Sequence, residues 1–167
     1  MTDLEIASFI LKNDFAGIEY YAEPDVTKAV VQSPEQLIAS QKGHCWEQTE
    51  LARHLFEQKN IPTKTFFMDS VCDAAGNTKT HTFIVFQSEN DFYWFEHSWT
   101  PYRGIHRYGS IKELISDVKN KIAQSDKAQG LPGEIFRIRE YDAPKLPTSH
   151  MDYFYHCLNG IEIECDS

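Results

Sequence analysis

Two neighbouring segments near the middle of the chain, 80–86 and 92–96, constrain the fold most strongly. Both are rich in β-branched and aromatic residues, and both carry apolar side chains at alternate and intervening positions. A strand that is apolar on both faces belongs inside a sheet that is covered on each side. The four polar residues between them, 88–91, are typical of a hairpin connection. We therefore predict two adjacent antiparallel strands in the interior of a sheet.

Helices are predicted around this hairpin from capping patterns and apolar periodicity. Thr2, Ser33 and Ser110 each precede a helical pattern as an N-cap residue. The predicted helices cover residues 2 to about 13, the segment from 33, 45–58, 110 to about 123, and 149–158; further strands cover 63–68 and 134–140, with loops at 69–78 and 124–133. This mixture predicts an α+β fold, with the helix that begins at Cys45 packed on an antiparallel sheet.

The helix 45–58 divides into two faces by its periodicity. The predicted core face contains Cys45, Thr49, Ala52, Leu55 and Phe56. The other side contains Glu47, Glu50, Arg53 and Glu57, and we predict that it faces water. In strand 134–140, Arg137 and Arg139 are likewise predicted to point outward.

Length and charge limit the functions that the chain can have. Its 167 residues suit a single domain, 1–167, and its 16 basic and 25 acidic residues give a net charge of −9. No run of Lys or Arg is present that could neutralise successive phosphates, so we exclude nucleic acid and an anionic membrane as partners. The four cysteines are irregularly spaced, which favours reduced thiols. With no basic segment or long apolar run at the start, we predict a cytoplasmic protein.

Cys45 lies where a helix begins, directly after Gly43 and His44. Gly43 is predicted to permit the turn that exposes the thiol. The unpaired N–H groups and positive dipole end of a helix N-terminus favour a thiolate, so the pKa of Cys45 should fall. The alternative is that Cys45 is a small buried apolar residue, as free cysteines often are. Its neighbour His44 points to a different side of the helix, so the role of base passes to His81.

Strand parity selects the carboxylate that could orient His81. A hairpin loop of two or four residues puts His81 on the same face as Trp94, Glu96 and Ser98, whereas a three-residue loop brings His97 beside it. Two-residue loops are the commonest, so Glu96 is the leading candidate. Cys45, His81 and Glu96 together supply a nucleophile, a base and an orienting group.

Three motifs in this order resemble the transglutaminase-like superfamily of papain-like cysteine enzymes. They are Gly-His-Cys-Trp at 43–46, Thr-His-Thr-Phe at 80–83 and Trp-Phe-Glu-His-Ser-Trp at 94–99. The resemblance covers about 33–99, and the residues after Trp99 are similar to a bacterial and phage branch. It implies that Cys45 is the nucleophile, His81 the general base and acid, and Glu96 the orienting carboxylate in place of the family's Asp. No calcium-binding loop pattern is present, and we predict no cofactor and no metal.

The resemblance implies thiol-dependent acyl transfer on a peptide, protein or small amide substrate. We expect hydrolysis of an amide bond, with transfer to an amine as an alternative. The oxyanion would be bound by the Cys45 backbone N–H and a second donor, for which Gln41 is a candidate. Weaker candidates for the substrate cleft are Trp46, Trp94, His97 and His106. The competing hypotheses are a zinc site formed by Cys45, Cys72, His81 and His97, and a binding module without catalytic activity. The oligomeric state stays open.

Overall fold

The computed structural model describes residues 1–71 and 78–164. In this part of the chain, the five α-helices are α1 (Asp3–Phe9), α2 (Pro34–Ser40), α3 (Cys45–Gln58), α4 (Ile111–Ala128) and α5 (His150–Leu158). The strands are β1 (Glu19–Tyr20), β2 (Val30–Val31), β3 (Lys42–Gly43), β4 (Thr63–Val71), β5 (Thr78–Ser88), β6 (Asp91–Glu96), β7 (Gly104–Tyr108), β8 (Ile135–Tyr141), β9 (Thr148–Ser149) and β10 (Ile161–Glu162). A π-helical segment, Ile10–Asp14, continues α1.

The main sheet has six strands in the order β10-β8-β4-β5-β6-β7, and every neighbouring pair is antiparallel. The prediction of an α+β fold with an antiparallel sheet is therefore confirmed. Strands β5 and β6 lie in the interior of this sheet, as their apolar composition predicts. Ser88 lies opposite Asp91, so the hairpin loop has two residues, and Glu89 in it has a φ of 56°.

Helices cover both faces of the sheet, which explains why β5 and β6 are apolar on both sides. On one face, Ile84, Phe86 and Phe95 pack against Leu51 and Phe56 of α3. On the other face, the side chains that alternate with these pack against α4; they are Phe83, Val85 and Trp94, in contact with a cluster that includes Leu114 and Val118. Helix α3, the sheet and helix α4 thus form a three-layer core.

Two predicted element boundaries are wrong. Strand β4 continues to Val71 instead of ending at residue 68. It pairs with β5 as far as Val71 and with β8 as far as Ser70. Of the predicted loop 69–78, residues 72–77 lie outside the described residues. Helix α4 continues to Ala128, because its last turns pack on the sheet and bury Asp126, which accepts hydrogen bonds from Ser70 and Lys79.

The prediction that α3 has a water-facing side is also wrong, apart from Glu57. Glu47, Glu50 and Arg53 are all buried. Glu47 accepts hydrogen bonds from Gln32 and His44, while α5 reaches Glu50 through Tyr153. Glu50 accepts two hydrogen bonds from Arg53, at 2.9 and 3.2 Å, and one from the Tyr153 hydroxyl at 2.9 Å. A buried charged group has to be paired in this way. Arg139 departs from its prediction too: it is buried and donates to Asp69.

Candidate active site

Cys45 is the first residue of α3 and is 9% exposed. His44 is the N-cap residue: its Nδ1 accepts the Trp46 N–H at 3.1 Å, while Glu47 Oε1 accepts the His44 N–H at 3.3 Å. This is a capping box in which a histidine replaces the usual Ser or Thr. The thiol therefore lies at the capped N-terminus of α3.

Gly43 has a different role from the one predicted. Its φ is not among the positive values in the chain, so the turn before Cys45 does not require glycine for its backbone conformation. Space is the requirement, because a Cβ at this position would lie 2.7 Å from Leu37 Cδ1 and 3.2 Å from Glu47 Cβ. The Gly43 carbonyl also accepts a hydrogen bond from Gln48 Nε2 at 2.9 Å, which ties the segment to α3.

Replacing Gly43 by alanine is therefore expected to destabilise the fold by about 1–3 kcal/mol, as overpacking usually does. Urea unfolding would measure the change. Gly109→Ala is a matched control, since a Cβ there would have only an ordinary contact, 3.5 Å from Glu113 Oε2. Equal stability of the Gly43 and Gly109 variants would show that the close approach at Gly43 has no energetic consequence.

The two-residue hairpin loop puts His81 and Glu96 on the same face of the sheet, as predicted. Ile84 pairs with Phe95, and continuing this register puts Glu96 diagonally across from His81. His81 Nε2 and Glu96 Oε1 are 2.8 Å apart. A carboxylate only accepts, so Nε2 is the donor and Nδ1 is the nitrogen left for Cys45. The second oxygen of Glu96 is held in place by three donors: the His97 N–H, the Ser98 hydroxyl and the Trp99 N–H.

The electrostatics of the site favour a thiolate beside an imidazolium. Burial disfavours the charged thiol, but hydrogen bonds and electrostatic interactions with His44 and His81 outweigh it and lower the pKa of Cys45 to about 5. Burial also disfavours the imidazolium, but the Glu96 carboxylate and the Cys45 thiolate outweigh it and raise the pKa of His81 to about 10. The charged pair is therefore the favoured form at neutral pH.

Glu96→Gln is expected to lower the pKa of His81, because the carboxylate charge is the largest of the influences that raise it. With less imidazolium present at neutral pH, the pKa of Cys45 should rise in turn. Titration of the His81 ring by NMR would measure the first effect. Glu113→Gln, on an exposed turn of α4, is the control. An unchanged His81 pKa in the Glu96 variant would show that this contact does not set the charge of the ring.

Cys45 and His81 lie in the wall of a pocket of about 360 Å³. Its apolar lining comes from Met68, Trp99, Pro101 and Ile122, together with the Tyr20 ring. The polar lining consists of Ser70, Lys79, Thr80, Ser98, Thr100, Ser125 and Asp126. An acyl group bound here would be next to the thiol in a partly apolar environment.

Sequence reasoning missed most of this lining. Tyr20 is on a strand of two residues, which has no periodic signal, and Asp126 is in a stretch that reads as a polar loop. Trp99 could have been found, because it ends the third motif. His44 is not the predicted base, yet its hydrogen bond with Cys45 at the helix N-terminus helps to lower the pKa of the thiol.

The structure does not bring the two weaker tryptophan candidates into this pocket. Trp46 is 3% exposed and stacks between Tyr153 and His150, with ring centroids 4.8 and 4.5 Å away. Trp94 is fully buried beneath α4, where it stacks with His106 at 4.7 Å. Both are core residues by their packing.

Polar contacts elsewhere also hold Gln41, His97 and His106 away from the pocket. Gln41 Nε2 donates to the Ile38 carbonyl at 2.7 Å, and His106 Nε2 bonds the Tyr102 carbonyl at 2.7 Å. His97 Nδ1 donates to Gln48 Oε1 at 2.7 Å. Burial and then the charge of Arg103 lower the pKa of His97 to about 4, so its ring is neutral. Gln41 and His106 thus bond backbone carbonyls, and His97 bonds a side chain of α3.

Metal-binding and membrane-spanning features were the other kinds of site to consider in the described part of the chain. Among the described residues, no group of three or more His, Cys, Asp or Glu side chains is arranged to hold a metal ion. Cys72, one member of the competing zinc hypothesis, lies outside those residues. Across residues 1–71 and 78–164, no helix has both the length and the hydrophobicity needed to cross a membrane.

Comparison with known proteins adds no assignment. No protein-family model matches the chain, and no curated protein sequence matches it significantly.

Proposed function

We propose that this protein is a cysteine enzyme of transglutaminase-like type that transfers acyl groups through Cys45, His81 and Glu96, with hydrolysis of an amide bond as its reaction. The observation that carries the proposal is the 2.8 Å hydrogen bond from His81 to Glu96 in the pocket wall that also contains Cys45, the first residue of α3. The lowered pKa of Cys45 and the raised pKa of His81 agree with it. A merely buried cysteine would have a raised pKa instead, as Cys157 does.

The chemistry follows from these positions. The Cys45 thiolate attacks the carbonyl carbon, forming an S–C bond while the carbonyl π electrons move to oxygen. Collapse of this intermediate breaks the bond to the leaving amine, which takes a proton from His81. Water then attacks the thioester and gives a proton to His81, so that the acid is released and the thiolate returns. Glu96 keeps the imidazole oriented through both steps.

Hydrolysis is proposed over transfer because water is the default acceptor. The substrate is a peptide, a protein or a small amide whose acyl part occupies the 360 Å³ pocket. A cytoplasmic location is part of the proposal, since an active thiol has to stay reduced.

Incubation with p-nitrophenyl acetate, followed by rapid quenching and intact-protein mass spectrometry, tests the proposal. One acetyl group should appear, peptide mapping should locate it on Cys45, and Cys45→Ala should remove it. With methylamine added, acetate should still be the main product. If the acetyl group is released chiefly as N-methylacetamide, the reaction is transfer to an amine and not hydrolysis. Acetylation spread evenly over several thiols would refute the assignment of Cys45 as the nucleophile.

A further inference from the structure

The proposed reaction needs two donors for the oxyanion, and the structure supplies only one from the nucleophile itself. The Cys45 N–H is in the first turn of α3, where an N–H has no intrahelical partner. Gln41 is not among the residues that line the pocket, and its amide nitrogen donates to the Ile38 carbonyl. A second donor therefore has to come from another residue in the pocket wall.

Tyr20 is connected directly to the segment that carries Cys45. Strands β1 and β3 pair in parallel, with Tyr20 opposite Gly43, and the Tyr21 N–H donates to the Gly43 carbonyl at 3.2 Å. The Tyr20 ring lines the same pocket as Cys45 and His81. Its hydroxyl has no hydrogen-bonding partner among residues 1–71 and 78–164, so its proton is available to a ligand.

Three other donors in the pocket wall, on Ser98, Ser70 and Lys79, are already engaged. The Ser98 hydroxyl donates to Glu96, and the Ser70 hydroxyl donates to Asp126. Lys79 pairs with the fully buried Asp126 at 3.2 Å. Tyr20 differs from these three residues in having an unengaged hydroxyl, and its strand pairs with the strand that leads into Cys45.

The protonation state of Tyr20 suits a hydrogen-bond donor. Burial, and then the negative charge of Cys45, raise the pKa of Tyr20 above its usual value of 10.0. The phenol therefore keeps its proton at neutral pH.

We propose that the Tyr20 hydroxyl is the second oxyanion donor of this site, acting with the Cys45 N–H. As the S–C bond forms, the carbonyl oxygen becomes an oxyanion and accepts both hydrogen bonds; when the C=O bond forms again, the leaving group departs and both donors return to their starting state. This inference rests on the proposed function, since it needs Cys45 to be the nucleophile.

Two reactions of Cys45 separate an oxyanion donor from a structural residue. Acylation by p-nitrophenyl acetate passes through an oxyanion, whereas alkylation by iodoacetamide is a displacement at carbon and forms none. Tyr20→Phe should slow acylation of Cys45 by about 10-fold or more, while the alkylation rate stays at the wild-type value. Tyr20 is 58% exposed, so the variant should fold, and its thermal unfolding would confirm this.

Tyr21→Phe is the matched control, because Tyr21 is the next residue, is 48% exposed and donates its hydroxyl to Glu23. It should leave both rates unchanged. Wild-type acylation in Tyr20→Phe would overturn the inference and leave the proposed function standing. Equal slowing of both reactions would also overturn it, since Tyr20 would then act on the thiolate. Failure of iodoacetamide to select Cys45 in the wild-type protein would refute the proposed function itself.

Discussion

His81→Ala should slow the alkylation of Cys45 by iodoacetamide at mildly acidic pH by about 10- to 100-fold. The thiolate is the reactive form, and each unit by which the pKa of Cys45 rises above the pH of the assay removes about tenfold of it. His81 lowers that pKa both by a hydrogen bond and by its charge. His44 remains in the variant and retains part of the effect. Timed alkylation with peptide mass spectrometry would measure the rate at Cys45 separately from the other thiols.

The control for this experiment is His54→Ala. His54 is on the same helix but near its far end, where it contacts Gln58 and Glu35 at the surface. Its removal should leave the rate at Cys45 unchanged. If the His81 and His54 variants react equally fast, His81 does not activate the thiol.

Arg53→Met should lower the free energy of unfolding by about 3–5 kcal/mol, the usual effect of removing one partner of a buried ion pair. Arg53 donates to Glu50 twice and to Thr65 once, and its guanidinium lies 5.3 Å from the centre of the Tyr141 ring. The variant leaves the Glu50 carboxylate buried with Tyr153 as its remaining donor. Urea unfolding at neutral pH would measure the loss.

The loss in Arg53→Met should be smaller at mildly acidic pH. Burial raises the pKa of Glu50 already, and removing a nearby cation raises it further. A carboxyl whose folded-state pKa lies above its unfolded value makes the fold less stable as the pH rises between those two values. Lys64→Met is the control, because the Lys64–Glu140 pair is exposed and should contribute less than about 1 kcal/mol. Similar losses of unfolding free energy in both variants would show that the buried Arg53–Glu50 pair contributes no more to stability than a surface pair.

The parts of the structure that could be predicted from the sequence depend on local patterns. Ser33 and Ser110 accept the expected hydrogen bonds from the N–H groups three residues ahead, so both helices begin where the capping pattern indicates. The same holds for α3, whose bounds match the prediction. Parity also needs only local information, because a two-residue hairpin loop settles which face of the sheet Glu96 shares with His81.

What could not be predicted depends on segments that are distant in the chain. The pattern around Glu50 and Arg53 predicts a water-facing side of the helix. Tyr153 of α5, about 100 residues away in the sequence, instead donates a hydrogen bond to Glu50 there. Asp126 reads as part of a polar loop, and its partners Ser70 and Lys79 are on β4 and β5. Tyr20 reaches the pocket only because β1 pairs with β3. Charge and periodicity in a single segment contain no information about such partners.

The pH dependence of Cys45 alkylation by iodoacetamide tests the central claim most directly. If the Cys45 thiolate forms an ion pair with the His81 imidazolium, the alkylation rate at Cys45 should rise with pH, with a midpoint near pH 5 in line with its lowered pKa of about 5. The rate should then stay level through neutral pH. A midpoint near the ordinary thiol value of about 8.5 would contradict the account, because Cys45 would then be an unactivated thiol.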